Sequence, residues 1–184
     1  MSFIRILKIE KLSDRVYPLE YITFEKADQQ QQKEVYHRPS GASVLLIDTQ
    51  RKTILLTKQF RLPVYLTSNE TEFLEVCAGI IDNGETPGEC IVREVEEELG
   101  YRISEIKKIA EAYFSPAGIT ELAHFFIGEY SPEMKINNGG GKKEEDISAI
   151  ELSFNEARLM LKNGLFKDAK TILLIQYAML NGLI

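Results

Sequence analysis

Acidic side chains are concentrated in one short segment of the chain, residues 82–101. The segment contains seven carboxylates and a single base, Arg93. The i, i+3 and i+4 spacing of Glu94, Glu97 and Glu98 places these three carboxylates on one face of a helix. Each like-charge pair costs an isolated helix roughly 0.2 to 0.5 kcal/mol, whereas Mg²⁺ or Mn²⁺ binds carboxylates together with phosphate oxygens. The face could be a metal platform for phosphoryl chemistry, or it could be an ordinary solvated helical face.

The same segment carries the start and stop signals of a helix. Thr86 fits the N-cap, Pro87 the first helical position and Glu89 the third position of a capping box. Gly100 fits the glycine that ends a helix. The sequence therefore predicts a helix that begins at Pro87 and stops at Gly100, with loops on both sides.

The spacing of these residues also matches a longer pattern. From Gly79 the chain reads GIIDNGETPGECIVREVEEELGY, which fits GX5EX7REUXEEXGU, where U is apolar and X is any residue. Seven fixed letters, each at about 7% usage, would match by chance on the order of once in 10⁸ starting points. Tyr101 stands at the final position, where an aliphatic residue is usual. The chain thus resembles the Nudix hydrolases, and the pattern covers 23 residues.

The resemblance implies a fold, an activity and a metal site. The fold would be α/β (α+β), an α/β/α sandwich with a mixed sheet, and the activity would be metal-dependent cleavage of a nucleoside diphosphate linked to another group. The metal would be Mg²⁺, with Mn²⁺ as a substitute. Its ligands, or their immediate partners, would be Glu94, Glu97, Glu98 and the carbonyl oxygen of Ala78.

Other positions of the pattern would support this site. By resemblance, Arg93 and Glu85 would form an ion pair that orients the ligands, and Gly79 and Gly100 would shape the loops. Arg93 could instead only offset the repulsion around it. We favour the orienting role because neighbouring groups fix the geometry of metal ligands.

The catalytic base is expected in a glycine-rich loop, residues 137–146. Related enzymes place a base or an extra metal ligand in this loop, whose acidic end is suited to closing over a substrate. Glu145 is the first choice and Glu144 the second, because a carboxylate near the attacking water could accept its proton. The alternative is a solvated charge run.

Segments outside the pattern narrow the subclass. Pro116 lies fifteen residues beyond Tyr101, which is similar to ADP-ribose and nucleotide-sugar pyrophosphatases of the family. The segments KEVYHR, KQFR, CAGIIDN, SPAGITEL and GGGKKEEDI look closest to the branch that hydrolyses GDP-mannose to GMP and mannose 1-phosphate. The alternatives are hydrolysis of ADP-ribose to AMP and ribose 5-phosphate, and a module that senses a nucleotide sugar without cleaving it. The complete set of glutamates argues against a pure sensor.

Binding a dianionic pyrophosphate requires guanidinium groups near the metal. Arg61 is the leading candidate, and a surface ion pair is the alternative role for it. Arg38 and Tyr36 could hold the sugar or the nucleotide, across a dimer or within one chain. The alternatives are a surface ion pair for Arg38 and a core tyrosine for Tyr36. By resemblance, a sugar-proximal loop would contain Ser115, Thr120 and Glu121, although the two hydroxyl residues could equally form turns.

Composition limits the remaining function classes. The chain has 184 residues, 44% of them hydrophobic, and a net charge of −6, which is typical of one soluble domain with or without a small appendage. The acidic balance argues against nonspecific binding of nucleic acid or anionic membrane. No apolar run is long enough for a bilayer, so a cytoplasmic location is expected. Cys77 and Cys90 cannot form a four-ligand zinc site and are expected to be reduced core residues.

The order of elements suggests an appendage and a main domain. Strand-like segments come first and helices dominate the end, with one helix over residues 154–162 and another over 168–180. The polar tract at residues 26–34 predicts an exposed hairpin loop or a linker. Residues 1–38 would form an N-terminal β extension and residues 39–184 the Nudix domain. By resemblance the protein would be a homodimer whose N-terminal strands cross to the partner; the alternative is an edge hairpin of a monomer.

Overall fold

The computed structural model describes residues 3–141 and 146–184. Two compact units can be distinguished within the chain. The first contains residues 1–40 and 111–123, and the second contains residues 41–110 and 124–184. Each unit is therefore assembled from segments that are distant in sequence.

The first unit is built on a three-stranded antiparallel sheet. Its strands are β1 (Ile4–Ser13), β2 (Leu19–Lys26) and β3 (Gln29–Tyr36), in the order β1-β2-β3. The turn between β2 and β3 consists of Ala27 and Asp28, whose φ values are 51° and 59°. Two consecutive positive φ values give the twist that a two-residue hairpin requires. The predicted N-terminal antiparallel strands are thus confirmed.

The prediction of a loop or linker over residues 26–34 is wrong. The four consecutive glutamines, residues 29–32, belong to β3 and pair with β2. The tract is too polar to bury, but an exposed edge strand tolerates polar side chains. Cross-strand contacts support it, such as the hydrogen bond of 2.9 Å that the Tyr21 hydroxyl donates to Gln32.

The second unit contains most of the regular structure of the described residues. A π-helical segment, Val95–Leu99, continues the helix Pro87–Glu94 without a break, and the strands Ile106–Tyr113 and Leu122–Glu129 run on into the first unit. The helix Leu62–Ser68 follows Arg61 directly and was not predicted. In chain order the elements are β4 (Gly41–Asp48), β5 (Thr53–Gln59), α1 (Leu62–Ser68), β6 (Phe73–Glu75), β7 (Cys77–Ile80), α2 (Pro87–Glu94), β8 (Ile106–Tyr113), β9 (Leu122–Glu129), β10 (Ser148–Ser153), α3 (Phe154–Lys162) and α4 (Ala169–Leu180).

These strands form one sheet with helices on both faces. The strand order is β10-β5-β4-β9-β8, with β6 beside β5 and β7 beside β4. Val44 and Leu46 of β4 share a core cluster with Ile91 of α2. Alternate residues of a strand point to opposite faces of the sheet. Helix α4 also contacts β4, but the buried side chains of α4 are not part of the cluster that contains Ile91. Helix α4 therefore packs on the face opposite α2. The predicted α/β/α sandwich is therefore confirmed.

Helix α2 begins as the sequence predicts. The Thr86 hydroxyl accepts a hydrogen bond from the Glu89 N–H at 3.2 Å, and the Glu89 carboxylate accepts one from the Thr86 N–H at 2.8 Å. This reciprocal pair is a capping box, with Pro87 at the first helical position. At the other end Gly100 adopts a φ of 77°, so the helix stops where a glycine permits it.

A buried hydrogen-bond chain ties α4 to the strand that precedes the site. The Asp168 carboxylate caps α4 by accepting bonds from the Thr171 N–H at 2.9 Å and its hydroxyl at 2.7 Å. The Thr171 oxygen in turn accepts a bond of 2.8 Å from the backbone N–H of Val76. The connection between β6 and β7 is thereby fixed against α4.

Candidate active site

Strand β7 lies in close contact with the acidic end of α2. A Cβ atom added to Gly79 would lie 2.1 Å from the Glu94 carboxyl group. Only glycine can therefore stand here while Glu94 keeps its position. Ala78, whose carbonyl was predicted as a metal ligand, immediately precedes Gly79 in β7 and pairs with Ser43 of β4.

Arg93 joins the carboxylates of the segment. Its Nε and Nη2 atoms donate to the two carboxylate oxygens of Glu85 at 2.9 and 3.0 Å, which is a bidentate contact. Its Nη1 donates to Glu94 at 2.7 Å and lies 3.6 Å from a Glu97 oxygen. Hydrogen bonds from Arg93 lower the pKa of Glu85, and the bond to Glu85 raises the pKa of Arg93. The predicted pair is thus formed, and it also holds Glu94.

Glu98 is the most deeply buried of the three glutamates. Its relative exposure is 6%, and its Oε2 atom is buried without a hydrogen-bond partner among the described residues. Burial raises the pKa of Glu98 to about 8, and the negative charges of Glu94 and Glu75 act in the same direction. The Cys77 thiol and the Arg61 charge oppose this rise only in part. A buried, unpartnered carboxylate oxygen needs either a proton or a cation.

The glutamate set fits a hard divalent cation by its chemistry. Glu94, Glu97 and Glu98 present oxygen atoms alone, which is the donor type that Mg²⁺ prefers, and Glu98 has the unpartnered oxygen. Among the described residues, no three acidic, histidine or cysteine side chains already converge as a metal cluster. In this arrangement Arg93 takes up an oxygen of Glu94, so a cation would compete with that contact.

Arg61 lies in a partly buried ionic network. Its Nε donates to Glu75 at 2.6 Å, and Lys170 contacts the other Glu75 oxygen at 3.2 Å and Asp168 at 2.6 Å. Within the described residues, Nε makes all the hydrogen bonds of Arg61, so its terminal nitrogens are not used. The negative charge of Glu75 raises the pKa of Glu98 and the positive charge of Arg61 lowers it, so the network acts electrostatically on this glutamate.

Lys170 belongs to this network and was not predicted from the sequence. Its side chain is largely buried between two carboxylates. One local signal was present: a lysine in the first turn of a helix opposes the helix dipole and therefore suggests a specific partner.

The residues predicted to contact the sugar or the nucleotide form a second group, which comes together within the first unit. The Arg38 guanidinium forms an ion pair of 3.0 Å with Glu121, and the Thr120 hydroxyl donates to the Arg38 carbonyl at 3.1 Å. The N–H of Tyr36 donates to Gly118. The loop is closed by a turn in which the Ser115 carbonyl accepts the N–H groups of Gly118 and Ile119.

Tyr17 completes this second group and was not predicted from the sequence. The Arg38 guanidinium lies 5.7 Å from the centroid of the Tyr17 ring, and the rings of Tyr17 and Tyr36 meet edge to face at 6.2 Å. An aromatic residue in a polar connection between two strands was the available signal.

The predicted base lies in a part of the chain that is not described. Glu144 and Glu145 fall outside the described residues, so their role stays a prediction. The preceding glycines are described, and they contact the end of the acidic helix, which consists of α2 and the π-helical segment Val95–Leu99. The Gly140 N–H donates to the Glu98 carbonyl at 2.9 Å, and the Gly141 N–H donates to the Glu97 carbonyl at 3.0 Å.

Two other sequence predictions concern the two cysteines and membrane-spanning helices. Cys77 and Cys90 are both buried and unpaired, as expected for reduced core residues. None of the helices in the described ranges is long and apolar enough to cross a membrane.

The burial of Glu98 predicts a pH-dependent stability. Folding raises the pKa of Glu98, so protonation of Glu98 favours the folded state. This contribution to stability is fully present below the unfolded pKa of about 4.3 and is lost as the pH rises through the folded pKa of about 8. In EDTA, Glu98→Gln should therefore be more stable than the parent at pH 9, by roughly 1 to 3 kcal/mol, because its neutral amide avoids the additional cost of a buried charge without a partner. The difference should shrink at pH 6. Urea unfolding at both pH values measures it.

The matched control is Glu96→Gln, which alters an exposed carboxylate paired with Arg102. Its stability relative to the parent should change little between the two pH values. An equal difference between Glu98→Gln and the parent at pH 6 and pH 9 would contradict the burial argument.

Comparison with known proteins shows which family the sequence and the fold are similar to. The model of the NUDIX domain matches residues 37–174. The chain is 43% identical over 180 residues to the GDP-mannose pyrophosphatase of Escherichia coli (strain K12), covering 95% of this chain and 94% of that protein. It is 42% identical to that of Shigella dysenteriae serotype 1 (strain Sd197), with coverages of 98% and 97%. A crystal structure of an ADP compounds hydrolase shares the fold, with a TM-score of 0.77 at 17% identity and coverages of 98% and 97%. The chain belongs to the Nudix family.

Proposed function

We propose that this protein hydrolyses the pyrophosphate bond of GDP-mannose and releases GMP and mannose 1-phosphate. The observation that carries the proposal is the set of Glu94, Glu97 and Glu98 with the buried, unpartnered Oε2 of Glu98. Relatives named GDP-mannose pyrophosphatase, at 42–43% identity over nearly the whole chain, support the substrate. A nucleotide-sugar sensor would have no chemical need for the full set of carboxylates.

The glutamates would hold the divalent cation together with the Ala78 carbonyl. We propose Mg²⁺, with Mn²⁺ as a substitute, because all the donors are oxygen atoms. Bound there, the cation would supply positive charge that stabilises the charge developing on the phosphate oxygens. Arg93 keeps Glu94 beside Gly79 through the bonds described above, and Glu85 keeps Arg93 in place.

Arg61 is proposed to bind the pyrophosphate. The buried Glu75 carboxylate holds its Nε at 2.6 Å, and its side chain is 41% exposed. The terminal nitrogens are therefore oriented and accessible, which suits a phosphate oxygen. An ion pair was the alternative role considered for Arg61 from the sequence. In this proposal the ion pair with Glu75 orients Arg61 for phosphate binding.

A water that attacks one phosphorus must lose a proton. We propose Glu145 as the acceptor, with Glu144 as the second choice, by family resemblance. The backbone of Gly140 and Gly141, just before them in the chain, bonds to the carbonyls of Glu98 and Glu97. This attachment supports a role for the following acidic residues in the same reaction.

We further propose a homodimer in which the N-terminal extension, residues 1–38, is covered by the partner. Ile6 pairs with Phe24 and Ile9 with Ile22 across β1 and β2, so these apolar side chains share a sheet face. Ile6 and Ile9 are both more than half exposed. Ile6, Ile22 and Phe24 also line a cavity of about 420 Å³ together with the loop 116–120. An exposed apolar face of this kind is typical of an interface.

The second group of residues, described above around Arg38, would then contact the sugar or the nucleotide. The residues proposed for this role are Tyr36, Arg38, Ser115, Thr120 and Glu121. With a net charge of −6, the protein has no general attraction for nucleic acid or anionic membrane. We therefore propose a small-molecule substrate and a cytoplasmic location.

The activity is tested by chromatography of GDP-mannose, ADP-ribose and other nucleotide sugars after incubation with protein and Mg²⁺. GDP-mannose should be cleaved preferentially, and excess EDTA should abolish turnover. Glu98→Gln should lower kcat by about 100-fold or more, since an ion that stabilises the transition state would be lost.

Glu96→Gln is the control and should turn over GDP-mannose like the parent. A preference for ADP-ribose would keep the chemistry and replace the substrate. Turnover that persists in EDTA, or near-normal activity of Glu98→Gln, would refute the metal role.

The dimer is tested by light scattering coupled to size exclusion. The parent should have twice the mass of one chain, and Phe24→Glu should shift it toward the monomer because a charge would be buried at the interface. Gln30→Lys is the control, since Gln30 pairs with Glu25 on the opposite face of the sheet. A monomeric parent would sink the proposal, and so would a Phe24→Glu protein that remains dimeric.

A further inference from the structure

The carbonyl end of the acidic helix is held by a tight turn, residues 136–141. The last carbonyl groups of a helix have no partners within it. Here the Glu98 and Glu97 carbonyls accept the N–H groups of Gly140 and Gly141, while the Gly100 carbonyl accepts those of Ile136 and Asn137 at 2.8 and 3.2 Å. The turn therefore satisfies the backbone of the residues whose side chains form the proposed metal site.

The two backbones meet so closely that glycine is required on both sides. A Cβ atom on Gly139 would lie 2.3 Å from the Glu98 carbonyl oxygen, and one on Gly100 would lie 2.2 Å from the Asn137 carbonyl oxygen. Both glycines have positive φ values, 63° and 77°. The contact thus depends on the exact path of the turn rather than on side chains that could adjust.

One side chain fixes that path. The Oδ1 atom of Asn137 accepts a hydrogen bond of 2.7 Å from the Gly139 N–H. This bond bends the chain at Gly139, so that the next two N–H groups face the helix carbonyls. The adjacent Asn138 is also exposed, and within the described ranges its side chain makes no hydrogen bond.

The helix end that this turn contacts is π-helical. In Val95–Leu99 the wider turn ends with the Gly100 N–H bonded to the Val95 carbonyl. A π-helical turn is an uncommon geometry that often occurs at functional sites. Both Glu97 and Glu98 lie in it, so a shift of this turn would move their carboxylates.

We propose that Asn137 is a positioning residue for the metal-binding glutamates. Through its bond to Gly139 it holds the turn against the helix end and fixes the backbone of Glu97 and Glu98. The inference rests on the proposed function, because it assigns Asn137 to that same site. In this role Asn137 would act through the backbone of the turn and not through a contact with the substrate or the cation.

The experiment compares Asn137→Ala, Asn137→Asp and Asn138→Ala with the parent. Binding of Mn²⁺ alone is followed by electron paramagnetic resonance, and the Mg²⁺ dependence of GDP-mannose turnover is measured in parallel. Asn137→Ala should weaken Mn²⁺ binding and raise the half-saturating Mg²⁺ concentration by about 10-fold, as for loss of a group that orients metal ligands. The KM for GDP-mannose at saturating Mg²⁺ should stay close to the parent value.

The two other variants distinguish positioning from general damage. Asn137→Asp keeps the acceptor oxygen and should restore metal binding, and Asn138→Ala should match the parent. Parental Mn²⁺ binding in Asn137→Ala would overturn the inference, even if its melting temperature falls. Equal losses in Asn137→Asp and Asn137→Ala would also overturn it. A parent that binds no Mn²⁺ would overturn the proposed function, and the inference with it.

Discussion

The bidentate contact between Arg93 and Glu85 holds together a group of carboxylates that repel one another. Three glutamates on one helical face are unfavourable without a positive charge, and Arg93 supplies one from inside the same helix. Because Glu85 occupies Nε and Nη2, the remaining Nη1 is directed at Glu94. The position of Glu94 then requires Gly79, since any larger residue in β7 would collide with it. The close approach of β7 to Glu94 at Gly79 therefore depends on this ion pair.

The ends of the acidic helix are fixed in different ways, and this difference matters for its chemistry. The beginning is fixed locally, by the capping box of Thr86 and Glu89. The end is fixed by tertiary contacts, since the turn 136–141 bonds to its last carbonyl groups. Glu97 and Glu98 are thus held by a distant part of the chain, directly before the segment proposed to supply the base. Metal ligands and base would be coupled through backbone hydrogen bonds.

The sequence predicted the parts of this structure that local interactions determine. The start of α2 and the stop of the helical segment at Gly100 could be predicted because each depends on residues a few positions apart, whereas the Arg93–Glu85 pair was predicted by family resemblance. The strand character of residues 29–32 was missed because it comes from pairing with β2, which composition does not reveal. Lys170 and Tyr17 were missed for the same reason, since their partners become neighbours only in the folded chain. The π-helical turn gave no signal in the periodicity.

The metal role of the glutamates is tested most directly by a crystal structure of the protein grown with Mn²⁺, with the ion located by anomalous scattering. We expect an ion about 2.1 Å from an oxygen of Glu98, with Glu94 or Glu97 completing the carboxylate ligands. Ordered Mn²⁺ bound elsewhere, with Glu98 Oε2 still buried and without a partner, would contradict it.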